Sequence, residues 1–415
     1  MSGIYAVNRK NFAQKMENGS MLVVFAGYPP VKRGDESYPY APQRNFLYMT
    51  GIDRPHLAFV IKKDPTGEVS EKLYIERFDE HIAKWDGAAI NKDHAKEISG
   101  IEDFAHVDEL YAQVAGGFVR GMIHTLYVDM ENRSFTAPNT PELDFIKLVR
   151  EKFPAVNIQD AHPMFTALRL IKSPQEVENI RKAIGITGTA FLELLRNVRP
   201  GMVEYELEAH IDFTLKKSGC KDRAFTTIMA AGKNATVLHY VENDYIIGEN
   251  DLVLTDFGAR WNWYSADVSR TFPASGKFTE RQRQLYNIVL GGLKLVTAMI
   301  KPGVIFDTLQ ESLKEFYVEQ LTKIGLIKDK DELSKYYYHG VSHMLGLETH
   351  DVGQDKDLVL APGMVLTVEP GLYIEEEAIG IRIEDDILVT ESGHEVLTAA
   401  IIKEADEIET FISRI

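Results

Sequence analysis

The chain has 415 residues, of which 45% are hydrophobic and 26% are charged. This length predicts two domains, or one large domain with a smaller partner, and the composition excludes disordered, collagenous and disulfide-scaffold proteins. Its 62 acidic side chains outnumber 46 basic ones, and the resulting net charge of −16 has the wrong sign for binding a phosphate backbone, so we expect no nucleic-acid partner.

The N-terminal residues 1–17 include basic side chains, but no apolar core of a signal peptide follows them. The apolar run Met21–Ala26 is short and predicts a strand. No window elsewhere offers the roughly 18 uncharged apolar residues that a membrane-spanning helix needs. The single cysteine, Cys220, excludes an intramolecular disulfide and is typical of a reducing compartment. We therefore expect a cytoplasmic protein with no membrane partner.

Residues 1–165 alternate short β-rich runs with helical stretches, which predicts an α/β fold. The predicted strands are Met21–Ala26, Leu57–Ile61, Lys72–Ile75 and Thr125–Val128, and the clearest predicted helix is Pro141–Phe153. We place a domain boundary in Ala161–Lys172. The predicted domains are therefore 1–165 and 172–405.

A pair of helices is predicted directly after this boundary. Ser173 and Glu176 form a capping box with Pro174 at the first helical position, and Pro200-Gly201 ends that helix. A second helix is predicted over Glu204–Lys217.

The same arrangement recurs further along the chain, in Thr279–Gln282, Lys301–Gly303 and Phe306–Lys323. Each helix pair leads through a histidine-bearing segment to an apolar strand. The two segments are Leu238-His239-Tyr240 and Tyr338-His339-Gly340, and the two strands are Asp251–Gly258 and Gly363–Gly371. The C-terminal part is therefore predicted to be an internal duplication whose halves share one sheet-based core.

Each half offers two carboxylates that a hairpin can bring side by side. Asp256 ends the first strand and Asp267 follows on the predicted return strand, while Glu369 and Glu384 occupy similar places in the second half. Any one of them alone is more often a solvated strand end or turn cap. Four carboxylates in a largely apolar sheet repel one another unless cations neutralise them, and two divalent ions balance four charges.

The predicted site is rich in oxygen ligands and has no sulfur. Such a set suits Mn²⁺, Mg²⁺ or Ca²⁺ better than a structural zinc site, although an imidazole lets Co²⁺ or Zn²⁺ compete. We assign the imidazole to His343, which lies between His339 and His350 in the sequence. A neutral imidazole binds metal, whereas the other two histidines can orient substrate or move protons near pH 7.

Three charged residues adjoin this set. Arg382 shares a strand face with Glu384 and is as suited to an ordinary ion pair as to a catalytic role. Of the two neighbouring residues Asp385 and Asp386, one is expected to be solvated and the other to accept hydrogen bonds in a structural role.

These residues fall within an ordered series of motifs. The series is Leu-His239-Tyr, Thr-Asp256-Phe-Gly, Asp267-Val-Ser-Arg-Thr-Phe, His339-Gly-Val-Ser-His343, Val-Glu369-Pro-Gly-Leu-Tyr and Gly-Ile-Arg382-Ile-Glu384. Together with the N-terminal segment 38–51, the series resembles the pita-bread metallopeptidases, and most closely aminopeptidase P, the Xaa-Pro aminopeptidase. The resemblance runs along essentially the whole chain.

The resemblance implies a creatinase-like α/β N-terminal domain followed by a pseudo-symmetric pita-bread catalytic domain. It also implies two divalent metal ions, with Mn²⁺ as the first expectation and Co²⁺ or Zn²⁺ as alternatives. The implied ligands are Asp256, Asp267, His343, Glu369 and Glu384, with Asp267 and Glu384 shared by both ions.

Further roles also follow from the resemblance. His239, His339 and His350 line the substrate pocket and stabilise the tetrahedral intermediate, Arg382 supports the metal site, and Glu369 shuttles a proton. Tyr373 is expected in the pocket, while Trp85 and Asp35 fall where family members approach a neighbouring subunit's active site. Thr349 departs from the usual branched aliphatic residue, and the segment 373–380 is short.

The implied reaction removes an N-terminal residue that precedes proline from short peptides, through a hydroxide activated by two ions. A homo-oligomer, either a dimer or a tetramer, is expected. An Xaa-Pro dipeptidase shares the five ligands and stays open as an alternative. Methionine aminopeptidase lacks an N-terminal domain of this size, and creatine-hydrolysing relatives lack the full ligand set. A non-catalytic peptide-binding module is disfavoured because all five ligands are present.

Overall fold

The structure is a computed structural model that describes residues 2–132, 134–353 and 357–414. The chain divides into two compact units, Met1–Leu168 and Arg169–Ile415, and each combines helices with sheets. The predicted α/β class is therefore confirmed. Within the described residues, no helix has both the length and the apolar character needed to cross a membrane.

The first unit is built around a mixed sheet. Its helices and strands, in chain order, are α1 (Ser2–Lys15), β1 (Ser20–Phe25), β2 (Val31–Arg33), β3 (Glu36–Ser37), α2 (Arg44–Thr50), β4 (Ala58–Lys63), β5 (Val69–Ile75), α3 (Glu80–Trp85), α4 (Lys92–Ser99), β6 (Phe104–His106), α5 (Leu110–Val119), β7 (Thr125–Val128), α6 (Pro141–Lys152), β8 (Asn157–Asp160) and α7 (His162–Arg169). The sheet has the strand order β6-β5-β4-β1-β7-β8.

The four predicted strands of this unit are present as β1, β4, β5 and β7, and the predicted helix is present as α6. Strand β1 pairs antiparallel with β4 and parallel with β7, so it lies inside the sheet. Its apolar run is buried on both faces, which is why the run shows no alternation of apolar and polar residues.

Helix α1 was not predicted, because its buried face is partly polar. Arg9 is almost fully buried, and its Nε donates to Glu71 Oε2 at 2.7 Å. Its Nη1 donates to the carbonyl oxygens of Met49 and Ser99. A buried arginine interrupts the apolar spacing from which a helix is recognised in a sequence.

The second unit contains the predicted duplication. Its helices and strands, in chain order, are α8 (Pro174–Asn197), α9 (Glu204–Lys217), β9 (Ile228–Ala231), β10 (Leu252–Phe257), β11 (Arg260–Trp261), β12 (Tyr264–Ser265), β13 (Val268–Pro273), α10 (Glu280–Met299), α11 (Asp307–Lys323), β14 (Val365–Val368), β15 (Gly371–Ile374), β16 (Ile379–Arg382), β17 (Asp385–Val389), β18 (His394–Val396) and α12 (Ala405–Ile412). The predicted capping boxes begin α8 and α10. Each helix pair precedes a three-stranded sheet, ordered β13-β10-β9 in the first half and β14-β17-β18 in the second.

Antiparallel pairing in each half sets the positions of the acidic residues. Strand β10 pairs with β13 so that Asp256 lies opposite Ser269, and β14 pairs with β17 so that Val368 lies opposite Asp385. The predicted hairpins are therefore present, but the connection between the two strands of each one contains a shorter hairpin, β11–β12 or β15–β16. The backbone N–H of Glu384 donates to the carbonyl oxygen of Ser269 at 3.0 Å, which joins the two hairpins at the ends that carry the carboxylates.

Candidate metal centre

Three buried side chains meet where the two hairpins adjoin. One ligand atom from each of Asp267, His343 and Glu384 lies within 4.8 Å of the other two. Asp267 immediately precedes β13 and Glu384 immediately precedes β17, so strand pairing fixes both carboxylates, while His343 comes from the loop before β14. Carboxylate oxygens with one imidazole form a ligand set suited to a divalent cation.

Asp256 and Glu369 adjoin these three residues. Glu369 Oε1 lies 3.5 Å from His343 Nε2, and the same nitrogen lies 3.3 Å from Asp267 Oδ2. Burial, and then the neighbouring charges of Glu384 and Asp256, raise the pKa of Asp267 well above its ordinary value. The structure thus brings the five predicted ligands into one cluster.

Glu369 and Glu384 also resist ionisation. Burial raises the pKa of Glu369 to about 8. Burial, together with the charges of Glu369 and Asp256, raises the pKa of Glu384 well above its ordinary value. Because the charged form of each group is disfavoured, the cluster is suited to cations that neutralise it.

The cluster contains buried oxygens that lack a hydrogen-bond donor. Among the described residues, Asp256 Oδ1, Asp267 Oδ1 and Glu384 Oε1 have no partner. Burying a polar atom without a partner costs free energy, and the free lone pairs of these oxygens are available to a metal ion. The residues present therefore fit divalent cations in both charge and ligand type.

The tautomer of His343 is suited to metal binding. Its Nδ1 lies 3.1 Å from the carbonyl oxygen of Met344, so Nδ1 carries the proton and donates it there. Burial lowers the pKa of His343 to about 4, which keeps the ring neutral at pH 7. The unprotonated Nε2 consequently faces Asp267 and Glu369 with its lone pair.

We expect metal binding to release protons near neutral pH. The raised pKa values of Asp267, Glu369 and Glu384 mean that the metal-free protein holds protons where ordinary carboxyls have lost them. A divalent ion requires the ionised groups, so its affinity should rise as the pH increases toward about 8. Calorimetric titration with Mn²⁺ at pH 7, in two buffers of different ionisation enthalpy, should detect about one proton or more released per chain. No release would contradict this ligand set.

Arg382 places a buried cation beside the carboxylates. Its Nη2 donates to Asp256 Oδ2 at 2.7 Å, its Nη1 to the Tyr373 hydroxyl at 3.0 Å, and its Nε to Ser269 Oγ at 2.7 Å. Ser269 Oγ in turn donates to Glu384 Oε2 at 2.8 Å. Arg382 is therefore the ion-pair partner of a predicted ligand and orients it within the cluster.

Sequence reasoning missed Ser269. The available signal was its spacing of two residues from Asp267, which places both side chains on the same face of an extended segment. The prediction that Asp385 or Asp386 is solvated was wrong, because both are buried. Asp385 pairs with Arg270 at 2.9 Å, and Asp386 Oδ2 accepts the backbone N–H of Asp267 at 3.2 Å.

The three predicted pocket histidines have different surroundings. His339 Nδ1 lies 2.7 Å from the carbonyl oxygen of Gly340 and carries the proton, so its Nε2 accepts the Tyr373 hydroxyl at 2.9 Å. Burial, and then the charge of Arg382, lower the pKa of His339 to about 4. His239 and His350 are exposed, and the ring centroid of His350 lies 4.4 Å from that of His343.

The two residues predicted to approach a neighbouring subunit belong to the first unit. Trp85 is the last residue of α3 and is 78% exposed. Asp35 lies in the exposed turn between β2 and β3. Their predicted role stays a prediction.

Two family models match the sequence: Metallopeptidase family M24 over residues 178–391, and Aminopeptidase P, N-terminal domain, over residues 5–121. The chain is 34% identical to the Xaa-Pro aminopeptidase of Escherichia coli K12, over 97% of this chain and 96% of that protein. A solved Bacillus anthracis structure assigned as an aminopeptidase P is 48% identical, with a TM-score of 0.97 over 100% of this chain and 98% of that one. Zn-substituted E. coli aminopeptidase P in complex with product is 32% identical, with a TM-score of 0.92 over the same shares.

Proposed function

Because the chain belongs to metallopeptidase family M24, we propose that it is a metal-dependent Xaa-Pro aminopeptidase, which hydrolyses the bond between an N-terminal residue and a following proline. The observation that carries this proposal is the buried cluster of carboxylates around His343, with oxygens that lack donors. The activity and the proline preference are supported by the named relatives. Burying carboxylates whose oxygens lack donors costs free energy, and binding a peptide without hydrolysing it does not require such a cluster.

We assign two divalent ions to the cluster, with Mn²⁺ as the first choice because oxygen ligands predominate. When bound, the ions supply Lewis-acid polarisation of the scissile carbonyl and a lower pKa for the attacking water. The chain's contribution is to hold the ligands in place before any ion or substrate arrives. The proposed ligands are Asp256, Asp267, His343, Glu369 and Glu384.

The side chains around the cluster take separate roles in this proposal. Glu369 is the proposed group that takes up and returns a proton during hydrolysis. His239 and His350 are exposed and are the candidate donors to the oxygen on which charge develops. His339 is occupied on both ring nitrogens by Gly340 and Tyr373, so we assign it to orienting Tyr373, and through it Arg382, rather than to oxyanion donation.

The acidic cluster also explains a restriction to the first peptide bond. A free α-amino nitrogen has a basic lone pair that can bind a cation held by the cluster, whereas the nitrogen of an internal peptide bond has none. The proline at the second position has no N–H, so a site for this substrate needs no acceptor for that group.

Hydrolysis of three matched peptides tests the proposal. With the Mn²⁺-loaded protein we expect cleavage of an Xaa-Pro-Xaa tripeptide and none of the corresponding Xaa-Ala-Xaa tripeptide. Cleavage confined to the Xaa-Pro dipeptide would replace the aminopeptidase with the dipeptidase. If metal binds but no peptide is cut, the proposed function is wrong.

We propose that the protein is a homo-oligomer, because the first unit exposes large apolar side chains. Tyr28, Val31, Phe78 and Trp85 are each more than half exposed, and side chains of this kind can contribute to an interface with another copy of the chain. We expect Trp85→Ser to lower the molar mass measured by light scattering, whereas Phe213→Ser, on the exposed surface of the second unit, should not. A monomeric wild type would contradict this proposal.

The cytoplasmic location and the absence of a nucleic-acid partner stay predictions from the sequence.

A further inference from the structure

Each half of the second unit has one polar side chain, on the second helix of its pair, that contacts the histidine-bearing segment of that half. In the first half the side chain is Glu204 on α9, and the segment contains His239. In the second half the side chain is Gln310 on α11, and the segment contains His339. Neither Glu204 nor Gln310 belongs to the motifs described above.

Gln310 binds the chain on both sides of His339. Its Oε1 accepts the Tyr337 hydroxyl at 3.0 Å and the backbone N–H of Val341 at 2.7 Å. Its Nε2 donates to the carbonyl oxygen of His339 at 3.2 Å. One side chain therefore fixes three successive points of the segment 337–341.

A series of contacts connects the His339 ring to the carboxylate cluster. The His339 ring lies between Tyr337 and Tyr373, at centroid distances of 5.0 and 5.5 Å. Tyr373 donates its hydroxyl proton to His339 and accepts from Arg382, which binds Asp256.

The same segment also positions a proposed ligand through its backbone. The carbonyl oxygen of Val341 accepts the backbone N–H of Glu369 at 2.8 Å. A shift of the segment would therefore displace both the His339 ring and the backbone of Glu369.

Glu204 binds the first half in a comparable way. Its Oε1 accepts the backbone N–H of Ala231 at 2.6 Å and Nδ2 of Asn234 at 3.4 Å. Its Oε2 accepts the Tyr240 hydroxyl at 2.8 Å and the backbone N–H of Tyr245 at 3.1 Å. These donors lie before and after His239 in the sequence, and the carboxylate that they surround is fully buried.

The hydrogen bonds of these two side chains do not cap their own helices. The capping contact of α9 comes from Glu206, which accepts the backbone N–H of Val203. The partners of Gln310 lie within residues 337–341, and those of Glu204 lie between Ala231 and Tyr245, the stretch that contains His239. Their contacts are consequently made to the stretches that carry the two histidines rather than to helix ends.

We propose that Glu204 and Gln310 are positioning residues, one in each half of the duplicated unit, that hold His239 and His339 respectively for peptide hydrolysis. The inference rests on the proposed function. Neither side chain is proposed to contact the substrate, and each acts through the histidine that it positions. Positioning errors of this kind lower turnover more than substrate binding.

Double-mutant cycles test the pairing. Gln310→Met keeps the length of the side chain and removes its hydrogen bonds, and it should lower kcat by about 10- to 100-fold with KM changed by about threefold or less. In a His339→Ala background the effect of Gln310→Met should shrink to about threefold or less, and in a His239→Ala background it should persist in full. Equal effects in both backgrounds would overturn the proposal for Gln310.

The first half provides the reciprocal cycle. Tyr240→Phe removes one bond to Glu204 and retains the ring, which protects the fold, and Glu204→Gln is the stronger second variant. The effects of both should disappear in a His239→Ala background and persist in a His339→Ala background. Gln320→Met, on the same helix as Gln310 and with a long 3.4 Å contact to Glu319, is the matched control and should leave kcat unchanged.

Hydrogen exchange provides a readout that does not depend on activity. Gln310→Met should raise the exchange of amides in 337–343 and leave 238–245 unchanged, and Glu204→Gln should do the reverse. If neither segment changes in a folded variant, the positioning role is wrong. If the wild type cleaves no proline peptide, the proposed function fails, while the exchange pattern still decides whether these side chains hold the segments.

Discussion

Asp267→Asn is expected to lower kcat/KM for an Xaa-Pro-Xaa peptide by about a thousand-fold or more. Asp267 is central to the buried cluster, and asparagine offers a cation no negative charge. Lewis-acid chemistry contributes several kcal/mol of transition-state stabilisation, and about 4 kcal/mol corresponds to a thousand-fold change in rate. The loss should be accompanied by reduced metal content after dialysis.

The same substitution should stabilise the metal-free protein. Because the pKa of Asp267 is raised on folding, the fold loses stability as the pH rises above the ordinary carboxyl range, and asparagine removes that loss. The amide group that the substitution introduces can also donate to His343 Nε2, which lies 3.3 Å from Asp267 Oδ2. We therefore expect thermal unfolding in chelator at pH 8 to occur at a higher temperature than in the wild type.

An exposed acidic residue of the second unit provides the control. Asp222→Asn should change neither the activity nor the metal content, since Asp222 is largely exposed and its contact with Arg260 is long. A variant at Asp267 that stays active with bound metal, or that destabilises the metal-free fold, would show that this carboxylate is not a ligand in a repulsive cluster.

Arg382→Met is expected to destabilise the metal-free protein by about 3–5 kcal/mol, because it leaves Asp256 as a buried charge without its partner. Arg382 also supplies bonds to Tyr373 and Ser269, which the thioether of methionine cannot replace. In the Mn²⁺-loaded protein the ions carry part of the compensating charge, so the loss should be smaller there. Urea unfolding in chelator and in Mn²⁺ measures the two losses.

Arg382→Lys separates charge from geometry. Lysine keeps the positive charge but lacks the planar fork that reaches three partners, so most of the ion pair's stabilisation should return while activity stays low. If Arg382→Met lowers the free energy of unfolding equally in the metal-free and metal-loaded proteins, the bound ions do not neutralise the charge of Asp256, and its proposed role as a ligand is wrong.

The hairpins of the candidate site were predictable because they are local. Asp256 and Asp267 are separated by one hairpin, and the apolar strand before Asp256 fixes its register with β13. The helix pairs were predictable for a similar reason, since Ser173 with Glu176 and Thr279 with Gln282 carry complete capping signals.

Other features depend on contacts between distant parts of the chain. The expectation that Asp385 or Asp386 is solvated was wrong, because both are buried, and Asp385 accepts a hydrogen bond from Arg270, which lies 115 residues away in the sequence. Gln310 is an ordinary helix residue by sequence, and only folding places it against the segment that carries His339. Periodicity predicts which face of an element is apolar, but it contains no information about which distant polar side chain will meet a buried charge.

Metal-dependent hydrolysis at the cluster is tested most directly by a titration of metal-free protein with Mn²⁺. Bound metal and cleavage of an Xaa-Pro-Xaa peptide are measured in the same samples. We expect activity to be absent without metal and to reach its plateau at two ions per chain, and we expect the Asp267→Asn protein to fail to reach that plateau. Full cleavage in the presence of chelator, or a plateau with no bound metal, would show that this acidic cluster is not a metal centre for peptide hydrolysis.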